Sequence, residues 1–144
     1  MTKSSRHSLT TARRWVLKIG SAILTDNGQG LSHDFITRLA GDVIALREQG
    51  REVIIVSSGA VAAGLARLGL ETRPSALDEL QAAAAVGQSS LVQAYEAAFA
   101  PSGYLCAQIL LSHDDVKSRD RYLNARATLQ TLLDKGVIPI VNEN

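Results

Sequence analysis

Four short runs of apolar, mostly β-branched residues recur along the chain, separated by longer stretches in which apolar positions return every three or four residues. The runs are RWVLKIG (14–20), EVIIVS (52–57), YLCAQILL (104–111) and VIPIV (137–141). This alternation of strand and helix patterns predicts an α/β sheet. Each run is too continuously apolar for a sheet with one wet face, so the strands are expected to be parallel and covered on both faces.

The intervening stretches predict four helices. In LSHDFITRLAGDVIALREQG, residues Ile36, Leu39, Ala40, Val43 and Ile44 share one face, Ser32 suits the N-cap, Asp34 the first turn and Gly50 the end. A second helix is bounded by Gly59 and Gly69. A third starts at Ser75, where SALD resembles a capping box, and runs alanine-rich through residue 100, with a break or bend expected at Gly87. The last, RDRYLNARATLQTLLDKG, aligns Leu123, Leu129, Leu132 and Leu133 and closes at Gly136. Its basic opening opposes the helix dipole, so Arg119, Arg121 and Arg126 either form a solvated face or serve another task.

Composition narrows the class. With 144 residues, 46% hydrophobic and 20% charged, the chain has the size and apolar content of one domain with a substantial core. A formal charge of +1 provides no global field for nucleic acid or an anionic membrane, so an anionic ligand must be held by local geometry. No run approaches the roughly 20 apolar residues of a membrane span. The one cysteine, Cys106, excludes an intramolecular disulfide and reads as a small buried hydrophobe, which makes a cytoplasmic location the expectation. His7, His33 and His113 have no metal-ligand spacing. The basic, acid-free start, MTKSSRHSLTTARR, reads as a disordered tail over residues 1–13, with an organelle transit peptide as the alternative; the domain is expected over 14–144.

In parallel sheets chemistry gathers where strands end. The first run delivers Lys18, Gly20 and Ser21, the second Ser57, Ser58, Gly59 and Ala60, and the fourth Asn142. VIIVSSGAVAAG passes from strand through Ser-Ser-Gly directly into a helix, which offers backbone amides at a helix N-terminus to a carboxylate or phosphate. VLKIGSA adds an ammonium group beside Gly20 and Ser21. The spacing matches neither the Walker pattern nor G-x-G-x-x-G. Taken singly, Ser57 or Ser58 could simply cap the helix and Lys18 could reach water; two anion-favouring strand ends in one sheet favour a ligand site.

VLKIGSAILT, VIIVSSGAVAAG, AAVGQSSLVQAYEAAF and RYLNARATLQTLLDKGVIPIVNEN, in this order, resemble the glutamate 5-kinases of the amino acid kinase superfamily, over residues 14–144. The resemblance implies a mostly parallel sheet sandwiched by helices, with ATP and Mg2+ serving γ-phosphoryl transfer to the side-chain carboxylate of L-glutamate, the first step of proline biosynthesis. It implies that Lys18, as a catalytic residue, together with Gly20 and Ser21, contacts the ATP phosphates. It further implies that Ser58, Gly59, Ala60 and Asn142 hold glutamate. Ala22 stands where many members carry a second hydroxyl and is left out of the site. Proline as a feedback inhibitor and a homo-oligomer are further implications. In the family, NEN is followed by a glutamate-binding aspartate, the nucleotide-side half of the kinase domain and often a PUA domain. The chain is therefore expected to be the N-terminal, glutamate-side part of such an enzyme, inactive alone. The alternatives are a non-catalytic glutamate- or proline-binding module, or another carboxylate or phosphate kinase of the superfamily.

Overall fold

The computed structural model describes residues 3–142; Glu143 and Asn144, which complete the polar ending of the fourth run, lie outside the described residues. Strands β1 (Arg14–Ile19), β2 (Glu52–Ser57), β3 (Cys106–Leu110) and β4 (Ile138–Asn142) form one parallel sheet in the order β1-β2-β4-β3. The helices are α1 (Lys3–Thr11), α2 (Ser21–Leu24), α3 (His33–Glu48), α4 (Ala60–Leu68), α5 (Leu77–Phe99), α6 (His113–Lys117) and α7 (Arg119–Asp134). All four predicted strands and the α/β architecture are present.

The core forms on one face of the sheet. Ile36, Ala40 and Val43 of α3 and Leu91, Tyr95 and Phe99 of α5 pack on Val53 and Ile55 of β2 and on Ile138 and Ile140 of β4. Burying each large apolar side chain contributes roughly 1.5–3 kcal/mol. On the opposite face, Ile54 shares a groove with Val116 of α6 and with Tyr122 and Leu129 of α7. Arg14 ties this layer down, bonding Glu52 at 2.7 Å and Gln130 at 3.0 Å.

The expectation of strands covered on both faces holds for β4, where all five residues are buried, and fails for β1, where Val16 is 60% exposed. The reason is position: β4 lies between two strands under both helical layers, whereas β1 is an edge strand, which α7 meets at Arg14.

Residues 3–11 form α1, anchored where the Arg51 guanidinium donates to Thr10 O and the Trp15 indole to Ala12 O. Two local expectations are revised. Gly87 does not break its helix, for α5 is one element of 23 residues. A β-carbon at Gly87 would lie 1.7 Å from Ala60 O, and one at Gly64 1.7 Å from Ala83 O. Both glycines are there so that α4 and α5 can touch backbone to backbone. The SALD capping box is absent, since the N-cap of α5 is Ala76 and Asp78 accepts from Glu79 N instead. A capping box of the same S-x-x-D form caps α6, where Asp115 N donates to Ser112 Oγ and Ser112 N to Asp115 Oδ2.

Candidate functional site at the strand ends

The four strands end in register. Ile19 lies beside Ser57, Ser57 beside Asn142, and Asn142 beside Leu110, a transverse row from one sheet edge to the other. The three clusters expected to converge do so along this row. Lys18 shares the end but not the face: it pairs with Val56 and projects, exposed, to the side opposite Ile19 and Ser57. Exposure removes the burial cost that a lysine would otherwise meet in an apolar strand.

The first two loops are joined by one carbonyl. Ser58 N donates to Ile19 O at 3.1 Å and Ser58 Oγ to the same atom at 3.0 Å. Neither Ser57 nor Ser58 supplies a side-chain cap to α4, so its first-turn amides keep no intrahelical acceptor. Gly59, the N-cap, has φ +99°, and a β-carbon there would meet Leu24 Cδ2 at 3.1 Å and Ser21 Cα at 3.5 Å. The left-handed conformation and the close approach of α2 both require glycine. Ser21 and Leu24 are thereby packed against the start of α4. Thr25 secures α2 from the other end, donating from Oγ1 to Ser21 O at 2.6 Å.

Beneath the row lies a residue that the sequence reading did not single out. The Tyr95 hydroxyl, fully buried on α5, is 3.1 Å from Ser57 Oγ, which in turn donates to Ser58 O at 3.2 Å. Burial pushes the Tyr95 phenol above its ordinary range, and the hydrogen bond shared with Ser57 offsets part of that rise. The two residues are 38 positions apart, so only the fold reveals the pair. Asn142 is 93% buried by the complement of its 7% exposure, and its Oδ1 has no hydrogen-bond partner among the described residues; the same is true of Gln88 Oε1 on α5.

A cleft of about 450 Å³ lies elsewhere, where Gly30 and His33 face Arg67 and Ser90, and includes none of the predicted site residues. No group of three potential metal ligands occurs among the described residues. What the edge offers is amide donors at a helix start, two hydroxyls, a buried side-chain amide and a lysine, a set suited to binding and orienting a small anion rather than to covalent chemistry.

A profile of the amino acid kinase family matches residues 13–144. The chain is 61% identical over 140 residues to glutamate 5-kinase of Thioalkalivibrio sulfidiphilus, covering 97% of this chain and 37% of that protein. It is 56% identical over 144 residues to glutamate 5-kinase of Hydrogenovibrio crunogenus, covering all of this chain and 38% of that one. The chain thus spans well under half the length of these relatives. Among solved structures, isopentenyl phosphate kinase matches with a TM-score of 0.58 at 14% identity, over 91% of this chain and 57% of that one, a likeness of fold.

Proposed function

Since this chain belongs to the amino acid kinase family, we propose that it is the glutamate-side part of a glutamate 5-kinase, which transfers the γ-phosphoryl group of ATP to the side-chain carboxylate of L-glutamate and forms glutamyl 5-phosphate for proline biosynthesis. The observation that carries this reading is the joined pair of strand-end loops: Ser58 bonded twice to Ile19 O, beside uncapped amides of α4.

Phosphoryl transfer asks little covalent chemistry of a protein; it requires a positioned acceptor and compensation of phosphate charge. In this reading Ser58, Gly59, Ala60 and Asn142 hold glutamate, the amides at the start of α4 facing a carboxylate. Lys18, Gly20 and Ser21 face the ATP phosphates, and the lysine offsets the repulsion between an anionic nucleophile and ATP. Because Ser58 is bonded to the residue that precedes Gly20, the distance between acceptor and phosphate loops is set by two hydrogen bonds rather than by flexible chain.

The described site residues do not fit Mg2+ as direct ligands, since none contributes a carboxylate. Magnesium belongs in this reading to the incoming nucleotide, consistent with its preference for phosphate oxygens and water. Proline binding at the glutamate site, a homo-oligomeric assembly and a cytoplasmic location complete the proposal. Among the described residues no helix is long and apolar enough to cross a membrane.

The test is phosphoryl transfer from labelled ATP by the full-length protein that carries these residues, offered glutamate, N-acetylglutamate, aspartate and UMP in parallel. Glutamate is expected to be the acceptor used. Preference for any of the other three would overturn the reading.

A further inference from the structure

The strand-end edge carries side-chain oxygens that can accept hydrogen bonds and that no donor among the described residues satisfies. Ser58 Oγ commits its one proton to Ile19 O, so toward a ligand it presents lone pairs only. Asn142 Oδ1 and Gln88 Oε1 are buried without partners. Buried polar atoms are nearly always paired, and an unpaired one costs folding free energy unless a ligand pairs it.

Gln88 belongs to this edge for three reasons. Its neighbour Gly87 lies against Ala60 O and Gly64 N, which sets this turn of α5 beside the first turn of α4. Gln88, Leu91 and Tyr95 recur at helical spacing on one face of α5, and the last two are in the core above the sheet. Tyr95 reaches Ser57, the register partner of Asn142, and α5 runs on from there toward the start of β3, so Gln88 lies further along toward the strand ends.

We propose that Gln88 Oε1, Asn142 Oδ1 and Ser58 Oγ accept the three N–H donors of the substrate's α-ammonium group, so that the site selects an amino acid by its charged nitrogen as well as by its carboxylates. This rests on the glutamate reading given above and adds Gln88 and the polarity of the contact to it. The amides at the start of α4 remain for a carboxylate, which fixes the orientation of the substrate: nitrogen toward α5 and β4, carboxylate toward the helix start. A ligand lacking the ammonium group leaves buried acceptors unsatisfied, and one acylated there cannot supply three donors. Binding sites built around such pairing discriminate strongly against analogues that lack the partner group.

The experiment compares glutamate with glutarate, its deamino analogue, as acceptors for the full-length protein and for Gln88→Met and Gln88→Glu. Wild type should use glutamate far better than glutarate. Gln88→Met, which keeps the side-chain length and removes the acceptor, should lower kcat/KM for glutamate roughly tenfold or more while leaving glutarate and the KM for ATP unchanged. Gln88→Glu keeps an acceptor and should retain the preference for glutamate. The melting temperature separates this from a structural role: removing an unpaired buried oxygen should leave it unchanged or raise it. Equal losses on glutamate and glutarate, or an unchanged ratio in Gln88→Met, overturn the proposal while the glutamate reading stands. Failure to phosphorylate glutamate at all overturns that reading, and the ammonium site with it.

Discussion

Ser58 and Ile19 are joined by two hydrogen bonds to a single oxygen: the Ser58 amide and the Ser58 hydroxyl both donate to Ile19 O, at 3.1 and 3.0 Å. The serine that would meet the acceptor is therefore fixed to the strand that leads into the loop that would meet the nucleotide. Removal of its hydroxyl leaves the carbonyl satisfied by the amide. Ser58→Ala is accordingly expected to cost under about 1 kcal/mol of stability, yet to raise the KM for glutamate tenfold or more with little change for ATP. Steady-state kinetics alongside thermal melts of the full-length protein check both halves.

Lys18 is exposed at the same end of the sheet, on the opposite face from Ser57. Lys18→Met should reduce kcat roughly 100-fold, the scale of losing one preorganised charge at a transferring phosphoryl group. Wild-type turnover in this variant would remove Lys18 from the mechanism.

The contact of α4 with α5 depends on two glycines that have no room for a methyl group. Gly87→Ala should destabilise the fold by about 1–3 kcal/mol or more through overpacking and, because Ala60 opens α4 beside Gly59, should weaken glutamate binding as well. Gly41 is the internal control: it is exposed on α3 with nothing within 4 Å of an added β-carbon, so Gly41→Ala should stabilise by about 0.5–1 kcal/mol. Chemical denaturation of the two variants in parallel should move the midpoints in opposite directions.

Burial, with the nearby Glu96 charge second, pushes the Cys106 thiol up to about 11 from an ordinary 9.0. The unfolded chain therefore loses its thiol proton first as pH rises, and the folded chain holds more protons between these two values. Stability should fall with pH across that window and be unaffected by this group below it. Cys106→Ala should flatten the alkaline limb of a stability-against-pH curve. At neutral pH iodoacetamide should label the native protein far more slowly than the denatured one.

Expressed alone, these 144 residues should show no glutamate-dependent phosphoryl transfer, since they span 37–38% of the relatives they match. Radiolabelled turnover by the isolated chain would sink that expectation.

The strands and the ends of α4 were legible because their signals are local: β-branched runs for the former, Gly59 and Gly69 in left-handed conformations for the latter. What misled was tertiary. A glycine inside a helix reads as a break, and nothing near Gly87 in sequence reports that Ala60 O is pressed against it. SALD and SHDD share one pattern, yet only the second forms a capping box, and α6 went unforeseen. The site divides the same way. Ser58 and Gly59 follow β2 directly and Asn142 ends β4, so they could be read in order, whereas Tyr95 reaches Ser57 only because α5 folds over the sheet.

The strand order carries a consequence for synthesis on the ribosome. β4 lies between β2 and β3 but is the last of the described strands to be made. Until it emerges, the inner edges of β2 and β3 have no neighbour, and at ordinary elongation rates that interval lasts several seconds for β2. A nascent chain in this state presents open parallel edges and an unfinished core, the condition in which hydrophobic strands recruit one another between molecules. A ribosome stalled just before Ile138–Asn142 leaves the exit tunnel should therefore hold a more aggregation-prone, more chaperone-dependent chain than one stalled just after it.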